Sequence, residues 1–236
     1  MRDRNLWPAC GAAIGRAQCQ KAKAPPKHND RANVDFALAI WKAAIPAGGS
    51  LVETYLAWRS LMLPPPPSIR FHDALKHPAG GKWPAMVALV TNGVDDTPLG
   101  IQRTFLARDG AGKASLDPAR MMLSRCGGGA VRLGAASGLL MVGEGIETCL
   151  AVMQATGHPA WAALSTSGMK ALVLPESVQE VIVLADGDDP GESAARDCAW
   201  RWMREGRRVR IARPPRGLDF NDVLLGRSND SEEGAP

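Results

Sequence analysis

The rhythm of apolar positions divides this chain into stretches of different character. Residues 1–33 mix Gly, Ala, Pro, Lys and Arg without a clear period and read as a disordered basic leader. A helical pattern follows in Val34–Ala44, with Phe36, Ile40 and Trp41 on one face, until Pro46-Ala-Gly-Gly-Ser50 breaks it. Helical spacing resumes over Leu51–Leu61 through Leu51, Tyr55 and Trp58 and stops at the prolines of 64–67, which read as a stiff connector. Extended segments come next: Ile69–Phe71, Pro84–Thr91 and Leu99–Ala107. A turn at Asn92-Gly93-Val-Asp-Asp96 joins the last two, so a hairpin or meander is expected. Asp109-Gly-Ala-Gly112 is a further turn.

From Leu139 the pattern changes. Leu139–Val142 is a short apolar strand that runs into Gly143-Glu144-Gly145. Ile146, Cys149, Leu150 and Met153 then recur at helical spacing, predicting a helix that ends near Gly157. Pro159–Leu164 reads as a second strand, Glu180–Ala185 as a third and Arg208–Ala212 as a fourth. The helix expected at 191–205 would bury Ala194, Ala195, Cys198, Ala199, Trp202 and Met203. Strands that are apolar almost throughout, alternating with helices, predict a parallel α/β sheet.

Composition narrows the class without naming a function. The chain has 236 residues, 45% hydrophobic and 22% charged, enough for one large core or two small ones. No run of about 18 apolar residues could span a bilayer, and the first residues lack the apolar stretch of a signal peptide. The expectation is a cytoplasmic protein with no membrane partner. Five cysteines, at 10, 19, 126, 149 and 198, are odd in number and widely spaced, so reduced structural thiols are expected. Cys10, Cys19 and His28 lack paired-ligand spacing, and zinc is not expected. Lys and Arg outnumber Asp and Glu 8 to 3 over residues 1–50 and 10 to 6 over 51–138, but fall behind 10 to 15 over 139–236. A basic half joined to an acidic half suits a part that holds polyanions beside one that holds cations.

Ligands of parallel sheets sit beyond the carboxyl ends of the strands, and two acidic groups fall at such ends. Glu144 follows the first strand between two glycines that would let the backbone turn sharply. Asp186 and Asp188 follow the third as Asp-Gly-Asp, a spacing that aims both carboxylates one way. Three converging carboxylates repel unless protons or a cation neutralise them. Hard oxygen donors without His or Cys point to Mg²⁺ or Mn²⁺. Asp189-Pro190-Gly191-Glu192 reads instead as a helix start.

Leu140–Thr148 (LMVGEGIET), Val181–Gly191 (VIVLADGDDPG) and Leu218–Leu224 (LDFNDVL) together resemble the Toprim domain, in the variant of primase-like proteins of phages, plasmids and other mobile elements. The resemblance implies an α/β fold: a Toprim-like parallel sheet flanked by helices over 138–226, an α+β primase-core-like segment over 34–137 ahead of it, and a tail at 227–236. It implies that Glu144 is the catalytic acid/base and that Asp186 and Asp188 hold magnesium. Asp219 matches a later acidic position used near the metal, its alternative being a turn or cap before a helix at Val223–Leu225, which Asn221 and Asp222 are also placed to cap.

Upstream, Met86–Ala107 with Gly100-Ile-Gln-Arg103-Thr-Phe105, and Asp117–Arg125 after it, resemble the meander and product track of bacterial-type primases. That likeness implies a nucleic-acid face of Arg103, Arg108, Lys113, Arg120 and Arg125; a solvated basic face is the alternative. Gly110-Ala-Gly-Lys113 lacks Walker spacing and is set aside as a nucleotide loop. The seven arginines between 201 and 216 read as a solvated helix end and sheet edge. The function expected is Mg²⁺-dependent nucleotidyl or phosphoryl transfer on DNA or RNA with NTPs, as a DNA primase or part of a primase–helicase system with a replicative helicase as partner. A Toprim nuclease and a non-catalytic replication accessory module are the alternatives.

Overall fold

The computed structural model describes residues 27–186, 189–215 and 217–226. Asp188, Arg216, the tail and most of the leader lie outside the described residues. In chain order the elements are α1 (Lys27–Ala43), β1 (Ile45–Pro46), α2 (Leu51–Trp58), β2 (Ile69–Lys76), β3 (Lys82–Asn92), β4 (Pro98–Phe105), β5 (Arg120–Leu123) and β6 (Gly129–Arg132). There follow β7 (Leu139–Gly143), α3 (Ile146–Thr156), β8 (Ala160–Ala162), α4 (Thr166–Ala171), β9 (Glu180–Leu184), α5 (Asp189–Arg204), β10 (Arg208–Ala212) and α6 (Phe220–Leu224).

One sheet runs through both halves, in the order β1-β2-β3-β6-β8-β7-β9-β10, with β4 paired to β3 and β5 to β4. The N-terminal strands form an antiparallel meander, as the turn at Asn92–Asp96 predicted, with Val87 opposite Arg103 and Arg103 opposite Met121. The strands β8, β7, β9 and β10 are mutually parallel. Joining the halves, β6 pairs antiparallel with β3 through Thr91 and Ala130 and with β8 through Val131 and Ala162. This makes the fold mixed α/β, with a parallel sheet flanked by helices.

Side-chain alternation along the parallel strands explains how both faces are covered. Met141, Ala160, Ala162 and Leu184 face α3, where Ile146, Cys149 and Leu150 meet them. Leu140, Val142, Trp161, Val181 and Val183 lie on the other face, against Ala194, Ala195, Cys198 and Trp202 of α5 and Met169 of α4. Full burial of each large apolar side chain contributes about 1.5–3 kcal/mol. Met203, expected inside, is 44% exposed; it lies beside Trp202, on the outer flank of α5.

The helical reading of the N-terminal segment needs two corrections. Residues 27–33, taken with the leader, form the first turns of α1. The buried face of that helix is Ala37 and Ile40, continued by Ala44 just past its end, while Phe36 is 59% exposed; the buried residues pack with Ile101 and Phe105 of β4. Cys126, Cys149 and Cys198 are free and buried thiols. Among the described residues no helix is long and apolar enough to cross a membrane.

Candidate active site

Register brings the acidic residues together. In β7 and β9 Val142 pairs with Val183, so the two strands end side by side, and Glu144, one residue past β7, and Asp186, two residues past β9, emerge at one edge of the sheet. Both line a cleft of about 230 Å³. The glycine before Glu144 is favoured by tight packing rather than by an unusual dihedral angle. A Cβ on Gly143 would sit 3.0 Å from the Cys149 sulfur and 3.2 Å from Leu184 Cβ. Gly145 has φ −87°, so the expected sharp glycine turn is not what places the glutamate. The Glu144 carbonyl accepts a hydrogen bond from Leu164 N at 2.9 Å, which fixes the backbone at this point.

Asp219 reaches the same cleft from α6. It is the N-cap of that helix: Asp219 Oδ1 accepts from Asp222 N at 2.7 Å, and Asp222 Oδ2 accepts from Asp219 N at 3.1 Å. The capping box therefore uses Asp219 with Asp222, whereas Asn221 is buried beneath it. The second Asp219 oxygen lies 3.7 Å from Arg59, the C-cap of α2.

Three cations, Arg59, Lys113 and Arg120, line the same cleft. Of the basic residues singled out in the sequence, Lys113 and Arg120 thus reach the cleft. Arg103 does not: it alternates with Ile101 and Phe105 on the β4 face under α1, is 8% exposed, and donates to the Met122 carbonyl at 3.3 Å. This corrects its placement on an exposed basic face. Arg108 is exposed and stacks over Trp83 with its guanidinium 4.9 Å from the ring centre, away from the cleft. Arg125 is exposed beyond β5 and is not among the described residues lining the cleft.

Glu147 and Arg59 were not singled out from the sequence. Glu147 lies one helical turn after Glu144, and its side chain is only 9% exposed. Its Oε1 accepts from the Tyr55 hydroxyl at 2.7 Å and lies 3.7 Å from Lys113 Nζ. Burial alone would push this carboxyl up, but the Lys113 charge and the Tyr55 hydrogen bond hold it below the usual glutamate range. Burial and the neighbouring carboxylate push the Tyr55 hydroxyl up, so it stays a donor.

Among the described residues no three His, Cys, Asp or Glu side chains are grouped to hold a metal ion by themselves; Asp188 falls outside them. The oxygen donors at hand, with no His or Cys among the cleft residues, suit Mg²⁺, which is commonly bound through one or two carboxylates plus waters and substrate phosphates.

Residues 139–230 match the Toprim domain family, and residues 31–133 match a second family described as Domain of unknown function (DUF7146). The chain carries a Toprim domain. Its fold is similar to that of the DnaG catalytic core, with a TM-score of 0.50 and 17% identity over 85% of this chain and 75% of that one. The RNA polymerase domain of Mycobacterium tuberculosis primase DnaG gives a TM-score of 0.48 and 14% identity over 85% and 80% of the two chains. A DNA primase domain from Pseudomonas aeruginosa gives 0.43 and 17%; 81% of this chain is covered, and it spans 59% of that one. No curated protein matches the sequence.

Proposed function

We propose that this protein is a primase-like Toprim enzyme that forms phosphodiesters on a nucleic-acid template with NTPs and Mg²⁺ (or Mn²⁺). The observation that carries the reading is the shared cleft of Glu144 and Asp186 at the ends of two adjacent parallel strands, which Arg59, Lys113 and Arg120 also line. Acids and cations lining one cleft suit a substrate that arrives as phosphate with a divalent ion.

Asp186 and Asp188 are the residues that would hold the ion, which when bound polarises a phosphate oxygen and neutralises charge on the leaving group. Glu144, half-buried in the same cleft as Asp186, would take the proton of the attacking hydroxyl. Lys113 and Arg120 hold phosphate oxygens, and their positive charge favours the charge that develops during transfer. Asp219 is occupied by its own helix and by Arg59, so in this reading it orients Arg59 rather than supplying a metal ligand.

The test is incubation of the purified protein with single-stranded DNA, all four NTPs and Mg²⁺ or Mn²⁺. Extension products are expected. Shortened strands would make the protein a Toprim nuclease, and no change under either metal would overturn an enzymatic role.

A further inference from the structure

The segment set aside as a nucleotide loop for want of Walker spacing is the one that delivers Lys113 to the cleft. It folds back on itself: Ala107 N donates to Gly112 O at 3.0 Å, and Leu106 bridges Lys113. Its tip rests on α2. Gly110 has φ +76°, and a Cβ there would come within 2.8 Å of Thr54 Cγ2 and 3.3 Å of Leu51 Cδ2, so only glycine suits both the dihedral angle and the contact. Lys113 therefore has its backbone fixed by α2, one element of the N-terminal half.

Its ammonium is fixed from the other half. Glu147 belongs to α3 of the Toprim domain, and its buried carboxylate faces Lys113 while accepting the Tyr55 hydroxyl of α2. A second tie joins α3 to the segment just after α2, with Gln154 Oε1 accepting from Met62 N at 2.6 Å and Gln154 Nε2 donating to Ser60 O at 3.0 Å. Glu147 is turned to this network and not to the protonic work of Glu144. The Lys113 side chain is 39% exposed, so it retains protons to offer a ligand while one side is held by the carboxylate.

We infer that Glu147 and Tyr55 are positioning residues that hold Lys113 as the anchor for the polyphosphate chain of a nucleoside triphosphate, locking the two halves of the cleft at the same time. The inference rests on the reading of this cleft as a phosphoryl-transfer site and adds the part of the substrate that Lys113 meets. A buried carboxylate beside a lysine narrows the directions the ammonium can take, and pre-orientation of that kind strengthens a charged contact by removing ordering cost at binding. Glu147→Gln keeps the shape and the acceptor for Tyr55 but removes the charge that holds Lys113.

The experiment is titration of the full chain with ATP and Mg²⁺ by calorimetry, in the wild type, Glu147→Gln, Tyr55→Phe, Lys113→Met and the Glu147→Gln/Lys113→Met double variant, with thermal melting of each. Coupled neighbours justify an expected loss of about tenfold in ATP affinity for Glu147→Gln. A smaller loss is expected for Tyr55→Phe, and none beyond that of Lys113→Met in the double variant. A purely structural Glu147 would lower the melting temperature and give the same added loss in both backgrounds, which overturns the inference. Failure of the wild type to bind ATP also overturns it, even if strand cleavage occurs. ATP binding that follows the expected pattern without any turnover would leave the inference standing and remove the catalytic reading instead.

Discussion

Glu144 and Asp186 stand two and three residues beyond Val142 and Val183, which lie opposite one another in register on adjacent parallel strands. Because that register sets where both chains leave the sheet, the approach of the two carboxylates is a property of the fold and not of loop flexibility. Glu144→Gln and Asp186→Asn each remove one charge at constant shape. Each is expected to lower template-directed nucleotide incorporation by at least about 100-fold, with melting temperatures close to that of the wild type, in steady-state assays paired with thermal denaturation.

The capping box at α6 gives a prediction of the opposite kind. Asp219→Ala deletes the acceptor for Asp222 N and is expected to cost about 1 kcal/mol of stability. Asp219→Asn, a good cap without the charge, should recover most of that loss while still loosening Arg59. Urea unfolding of the two variants checks the first point.

A pH effect is expected from Glu192. Its carboxylate accepts from Arg213 Nε at 2.9 Å and from Arg196 Nε at 2.8 Å, and these bonds, Arg213 first, hold it below its ordinary value near 4.5. A group depressed in the folded state adds stability that is fully present above the unfolded value. That stability is lost as pH falls through the lower folded value. The effect should stay below about 1 kcal/mol, since both arginines are well exposed. Unfolding free energy measured from pH 7 down to acid should therefore fall less steeply in Glu192→Gln below about pH 4.5 than in the wild type.

Trp161 carries the centre of the sheet. It is fully buried on β8, donates Nε1–H to the Gly134 carbonyl at 2.9 Å, and lies under the Arg132 guanidinium at 4.2 Å. Trp161→Ala should cost about 3–5 kcal/mol. Trp161→Phe, which keeps an aromatic ring of smaller size but loses the N–H, leaves a carbonyl without its donor at a cost of about 1–3 kcal/mol. Denaturant midpoints give both values.

The parallel half was legible because its strands are apolar on both faces and its acids follow them directly. Glu144 and Asp186 could be read from one-dimensional pattern for that reason. The helix α4 escaped because Thr166–Ala171 is too short to show a period, and β6 because Gly127, Gly128 and Gly129 mask a strand with turn residues. Glu147 was hidden for a different reason: its partner Tyr55 lies 92 residues away, and no local signal marks a carboxylate as buried. Arg103 misled in the same way, because which face of β4 receives α1 is decided by packing and not by the residue itself.

The central claim is that Glu144 and Asp186 face one divalent ion at the edge of the parallel sheet. Anomalous diffraction from crystals grown with Mn²⁺ tests it directly. The account predicts a peak in the cleft with Asp186 oxygen within coordinating distance, about 2.0–2.6 Å, and Glu144 beside it. A strong peak elsewhere on the protein, with the cleft empty at saturating Mn²⁺, would contradict it.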